Sequence, residues 1–242
     1  MRGLTYWLGK TLYVSCTNRA RGLSLVASRG PGFLMPDSSA FSPLEAEPTV
    51  DDLVAAVLDA YAFDARKKEL GADVGRTTRA DGGELDSGLV FAGLGEPLLR
   101  WRCVAEATRR IRLEHESIPI RLNTNALPLV GDDAAEMARL LSDAGLNAAS
   151  VSLNAADAAA YAALMLRPPD HDAAYHSSRE DAIGDVSGAS FAVACSTIVA
   201  FAEAGIQVSA TAVERPGVDV AAVRTLAFAL GAVEFKARSW FP

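Results

Sequence analysis

The chain has 242 residues, half of them hydrophobic, and a formal charge of -7. That length supports one substantial core, typical of a single α/β domain over residues 1–242. An acidic balance without a Lys/Arg cluster argues against a nucleic-acid binder, which carries a basic stripe. No apolar run reaches the roughly 20 residues that span a bilayer. The N-terminal MRGLTYWLGKTLYVSC is interrupted by Thr5, Gly9, Lys10 and Thr11, a poor fit to a secretory leader. No membrane association is expected, and the expected setting is cytoplasmic or an organelle matrix. Cys16, Cys103 and Cys195 are far apart and odd in number, so they form neither a disulfide framework nor a metal-spaced cluster.

In chain order, residues 12–16 (LYVSC) read as a first strand, followed by Thr17-Asn18-Arg19 and a Gly- and Ser-containing segment to Ser42. Residues 44–49 (LEAEPT) lead into a helix capped by Thr49, with Asp52 at the capping-box position and Leu53, Val57, Leu58 and Tyr61 on one face. Residues 64–87 are charged and glycine-bearing, and read as a solvated insertion. Residues 89–92 (LVFA) form a short apolar run suited to a strand buried on both faces. A second helix runs from Pro97 to about Leu113, with Arg109, Arg110 and Arg112 on its solvated side. A strand at 118–123, a helix at 132–144 stopped by Gly145 and a strand at 148–153 come next. Asn154 can cap a helix to Leu164. After an irregular polar stretch at 166–188 come a helix at 189–204, a strand at 206–213, a helix at 220–230 and a strand at 233–237. Six strands alternating with helices imply a parallel sheet with right-handed crossovers, open rather than closed.

The chemistry centres on residues 88–97 (GLVFAGLGEP). Gly93 and Gly95 permit a tight turn and a close approach, Glu96 brings a carboxylate, and Pro97 suits a first helical position. The ends of strands in parallel α/β sheets are where ligands bind. The same residues also read as no more than a turn and a helix start. Among the histidines, His115 follows helix two and is expected against its last carbonyls. His171 and His176, with Asp170 and Asp172, lack helical spacing and read as loop residues rather than metal ligands. Gly93-Leu94-Gly95 lacks the third glycine of a dinucleotide fingerprint.

Thr17-Asn18-Arg19, residues 44–49, residues 93–100 (GLGEPLLR), Asn123-Thr124-Asn125, residues 152–155 (SLNA) and Arg167-Pro168 follow one another at strand ends and helix starts. In this order they resemble the radical S-adenosylmethionine (SAM) superfamily, and most closely its proteins associated with TatD-type hydrolases. The resemblance implies an open (β/α)6 partial TIM barrel. It implies that Gly93, Gly95 and Glu96 meet the methionine end of SAM. It also implies that Ser152 and Asn154 hold the ribose or carboxylate, and that Asn123 and Asn125 line the same mouth. Asn154 as a helix cap and Asn125 as a turn former remain the plainer readings. The family usually has glycine where this chain has Ala126.

The decisive departure follows Arg19. There the family carries three cysteines that hold a [4Fe–4S] cluster, and this chain has Ala20, Ser24 and Ala27 at the same spacing. Such clusters are held by thiolates. Alanine has no donor atom, and a neutral hydroxyl is a poor substitute. The resemblance therefore implies a degenerate member, a pseudoenzyme unable to cleave SAM reductively, with a pocket that still accepts SAM or a nucleoside. Natural loss, deliberate replacement of the cysteines and a sequence error in this segment all remain open. The alternative is a barrel enzyme that uses Glu96 as an acid/base, with Asn123, Asn125 and Asn154 holding its substrate.

Overall fold

A computed structural model describes residues 3–23, 27–35, 41–69, 88–165 and 189–242. Its strands are β1 (Thr5–Leu8), β2 (Thr11–Val14), β3 (Gly88–Phe91), β4 (Ile120–Thr124), β5 (Ala148–Ser152), β6 (Gln207–Val213) and β7 (Glu234–Arg238). They form one sheet in the order β1-β2-β3-β4-β5-β6-β7. The pairs from β2 to β7 are parallel, whereas β1 is antiparallel to β2. The six expected strands are thus present, and β1 is an addition. A two-residue connection, Gly9-Lys10, folds β1 back on β2 and pairs Tyr6 with Tyr13. The aromatic and β-branched residues of TYWL carry a strand signal, but β1 joins β2 by a hairpin and so falls outside the strand–helix repeat.

The helices are α1 (Val50–Glu69), α2 (Trp101–Glu114), α3 (Ala134–Asp143), α4 (Ala158–Met165), α5 (Ala189–Glu203) and α6 (Val220–Ala229). α1 continues to Glu69, so the first part of the expected insertion at 64–87 is helical. Residues 70–87 and 166–188, including His171, His176, Arg167 and Pro168, lie outside the described residues. Thr49 and Asp52 form the expected capping box: Asp52 N donates to Thr49 Oγ1 at 3.2 Å, and Thr49 N donates to Asp52 Oδ2 at 2.8 Å. No helix among the described residues is long and apolar enough to cross a membrane.

A strand order that follows the chain, joined by right-handed crossovers, puts every crossover helix on the same face of the sheet. The burial pattern agrees. Leu12, Val14, Leu89, Phe91, Ile120, Leu122, Val151 and Val208 join one core with Val104, Ile111, Met137 and Phe201 of the helices. The alternate positions, including Tyr13, Arg121, Asn123, Ser150 and Ser209, face the other way. Mixed apolar and polar strands are therefore explained by a sheet that has one helix-covered face and one inner face.

Two expectations about α2 are corrected. Arg112 is not a solvated side chain. It donates to Gly145 O (2.8 Å), Glu116 O (2.8 Å) and Asn147 Oδ1 (2.5 Å), gathering the ends of α2 and α3 with the starts of β4 and β5. His115 N donates to Ile111 O, but its ring lies 5.1 Å from that of Tyr61 on α1 rather than against helix carbonyls.

Candidate functional site

The loops leaving the C-terminal ends of β2–β6 meet at one end of the sheet. The loop after β2 is anchored first. Asn18 holds residue 44 from both sides, Nδ2 donating to Leu44 O at 2.8 Å and Oδ1 accepting from Leu44 N at 3.0 Å. Thr17 Oγ1 and Arg19 Nε donate to Glu47 Oε1 at 2.5 and 2.7 Å. Arg100 donates to Cys16 O at 2.7 Å and lies 3.7 Å from Glu47 Oε2. These hydrogen bonds and neighbouring cations hold the Glu47 carboxyl below its ordinary range, despite partial burial. Three of the sequence motifs, 17–19, 44–49 and 93–100, are thereby tied to one another.

The turn after β3 packs against the same loop. Glu96 N donates to Arg19 O at 2.8 Å. A Cβ on Gly95 would stand 2.5 Å from Arg19 O, and one on Gly93 (φ +151°) would stand 2.6 Å from Ser15 Oγ. The close approach that these glycines allow is to the chain's own loop.

Glu96 is 3 % exposed, and its carboxylate is enclosed by the chain. Oε1 accepts from Leu98 N (2.9 Å) and Thr124 Oγ1 (2.6 Å), and Oε2 accepts from Asn125 N (2.7 Å). One side chain thus caps the 3-10 turn Pro97–Arg100 and joins the end of β3 to the end of β4. Burial still outweighs these three donors and pushes the carboxyl from 4.5 up to about 7.

Beyond Thr124 the chain turns sharply. Asn125 Oδ1 accepts from Leu127 N at 3.1 Å, and its Nδ2 donates to Arg21 O at 2.6 Å, so it forms the turn and holds the β2 loop as well. Arg21 in turn donates to Pro128 O. Ala126 is fully buried at φ +63°, a left-handed conformation that glycine adopts without strain. Asn123 lies half-buried on the inner face, one residue before the turn.

At the end of β5, Asn154 (φ +58°) is not the helix cap. Asp157 caps α4 through Ala160 N at 2.8 Å. Asn154 Oδ1 accepts from Val213 N at 2.9 Å, tying the end of β5 to the end of β6, and its Nδ2 reaches Met165 Sδ at 3.2 Å. Ser152 is 1 % exposed, and its hydroxyl has no hydrogen-bond partner. Of the expected SAM-contacting side chains, Glu96, Asn125 and Asn154 make hydrogen bonds within the protein, whereas Ser152 retains an unused hydroxyl.

Ala20 is 3 % exposed, immediately beside the residue that bonds Glu96. Leu23 N donates to Met165 O at 2.7 Å, so the loop crosses from β3 towards α4. Ala27 opens a short 3-10 turn, and Ser24 lies outside the described residues. Neither alanine offers a donor to iron. The thiols of Cys16, Cys103 and Cys195 are free, and burial raises the pKa of each. Among the described residues no three His, Cys, Asp or Glu side chains come together as a metal site. The residues present do not fit a [4Fe–4S] cluster.

Sequence reading did not single out Glu47, Arg100 or Thr124, although all three lie inside the motifs it quoted. Their signal was an acid, an arginine and a threonine held close to conformationally special residues. Two measurements check the geometry of this end of the sheet. Ala126→Gly is expected to raise stability by about 1 kcal/mol in urea denaturation, because left-handed strain is relieved. For Glu96 the folded-state pKa lies above the unfolded one, so its contribution is fully present below about 4.5 and is lost as pH rises through 7. The stability gap between the wild type and Glu96→Gln should therefore narrow from pH 4.5 to 7. A constant gap would show that the carboxyl titrates normally.

No family model matches the chain, and no curated protein matches it. Solved structures do. Streptococcus suis SuiB superposes with a TM-score of 0.55 at 15% identity, over 97% of this chain and 40% of SuiB. SuiB bound to its precursor peptide SuiA gives 0.55 at 14%, with the same coverage of both chains. The FeFe-hydrogenase maturase HydG from Carboxydothermus hydrogenoformans gives 0.53 at 13%, over 96% of this chain and 44% of HydG. The chain spans about two fifths of the length of the structures it matches. Its mostly parallel, open seven-stranded sheet is the partial-barrel fold of radical SAM structures.

Proposed function

We propose that this chain is a degenerate relative of radical SAM enzymes, with the barrel mouth preserved and the cluster chemistry lost. The observation that carries the reading is Ala20, buried against the Glu96 turn where the resemblance calls for a thiolate. Ala27 and Ser24, at the remaining spaced positions, supply no thiol either. Without thiolates the loop has no means of fixing three irons. What remains suits binding: a mouth held rigid by side-chain and backbone bonds, with the Ser152 hydroxyl and the half-buried Asn123 left to meet a small molecule such as SAM or a nucleoside. The association with a TatD-type hydrolase that the resemblance implies is part of this proposal. A change in such a hydrolase's rate on mixing would support it, and an unchanged rate would remove it.

The second reading, Glu96 as an acid/base in a different enzyme, draws on its carboxyl standing near 7. A catalytic carboxyl must reach a substrate proton, however, and both Glu96 oxygens already take protein donors. The geometry favours a positioning role.

Anaerobic reconstitution with iron and sulfide should leave the protein colourless, with no iron retained after desalting. Retained iron with visible absorbance would overturn the proposal. In calorimetry, SAM and S-adenosylhomocysteine should bind comparably, because neither is activated. Binding of neither would limit the chain to a scaffolding role. Turnover of any metabolite that Glu96→Gln abolishes, with the fold intact, would favour the second reading.

A further inference from the structure

The parallel part of the sheet begins at β2 and ends at β7, and among the described residues no strand pairing joins those two. Residues 239–242, which leave β7, cross this open side to the loop that follows β2. Phe241 N donates to Arg29 O at 2.8 Å, and Gly32 N donates to Phe241 O at 3.2 Å. Arg29 Nε donates to Ser239 O at 2.8 Å. The Arg29 guanidinium also lies 4.7 Å from the centre of the Phe33 ring and 5.3 Å from that of Phe241, and the two rings are 5.5 Å apart. One side chain therefore joins both segments through a hydrogen bond and two cation–π contacts. The backbone is shaped for the approach. A Cβ on Gly32 would stand 2.6 Å from Pro242 O, and Gly30, at φ +101°, would press one against Phe241 O. Phe241 is 38 % exposed, so water competes for these contacts, and they part more easily than the buried sheet.

We propose that residues 239–242 form a clasp, that Arg29 is the positioning residue that fastens it, and that its opening admits a small molecule to the inner face of the sheet. The clasp grips the loop of Ala20 and Ala27 at its far end, while Glu96 N bonds the near end at Arg19 O. Closed, it bridges the side that strand pairing leaves open. It can part without breaking any bond between strands, because its partners lie in loops. The inference rests on the proposed small-molecule site and adds how that site is entered.

Hydrogen exchange followed by mass spectrometry reads the clasp, and iodoacetamide labelling of a thiol introduced by Thr211→Cys, resolved by site, reads the inner face. Thr211 is 2 % exposed and alternates along β6 with the core residues Val208, Ala210 and Ala212. Arg29→Ala should speed exchange about tenfold in 27–35 and 239–242 together, leave β3–β5 unchanged, and speed labelling by a similar factor. Gly32→Ala, which crowds Pro242 O without touching the guanidinium, should do the same. Arg29→Lys, which keeps the cation but loses the planar fork, should fall between. Unchanged exchange in both alanine variants, or faster exchange in only one of the two segments, overturns the clasp. Equal loosening of β3–β5 in both variants shows a general structural role and overturns it too. Faster exchange with unchanged labelling overturns the gate. SAM is titrated by calorimetry into the same preparations. If SAM does not bind while exchange and labelling respond as expected, the clasp stands and the SAM reading falls.

Discussion

The enclosed carboxylate of Glu96 is the constraint on which the open end of this sheet depends. Parallel strands leave their last carbonyls and amides without partners, and loops must satisfy them. Here one side chain accepts from Leu98 N, Thr124 Oγ1 and Asn125 N, so a single group finishes β3, starts the following helix and fixes the turn after β4. Charge-assisted bonds of this kind are worth about 1.5–3 kcal/mol each, yet taking a carboxylate out of water costs several kcal/mol. The rise of its pKa to about 7 shows which effect wins. The acid is retained because no neutral side chain offers acceptors to all three donors at once.

Around that knot the loops hold one another. Asn18 clasps the backbone of residue 44, Glu47 gathers Thr17 and Arg19, and Asn125 reaches back to Arg21 O. Asn154 performs the same service between β5 and β6. The arrangement also leaves both oxygens of the Glu96 carboxyl taken by protein donors.

The strand–helix alternation was legible because buried parallel strands read as short apolar runs between glycines, as at residues 89–92. Helix starts were legible where a cap announced itself, as at Thr49 and Asp52. β1 was missed because a hairpin at the edge breaks the repeating unit on which the reading relied. Arg112 and His115 were misplaced because helical spacing shows which face a residue occupies, not which neighbouring element covers that face. Asn154 reads as a cap because capping is a local signal, whereas the donor to its Oδ1 is 59 residues away, Val213 N.

By itself the sequence determined the periodicities, the capping residues and the absence of cysteine at positions 20, 24 and 27, since each depends on residue type and near spacing alone. Only the tertiary structure decided that Glu96 faces inward to protein donors, that Gly95 makes room for Arg19 O and that serines from β5 and β6 share a face with Lys236. Those outcomes depend on strand register and loop packing between segments far apart in the chain, which no local preference encodes.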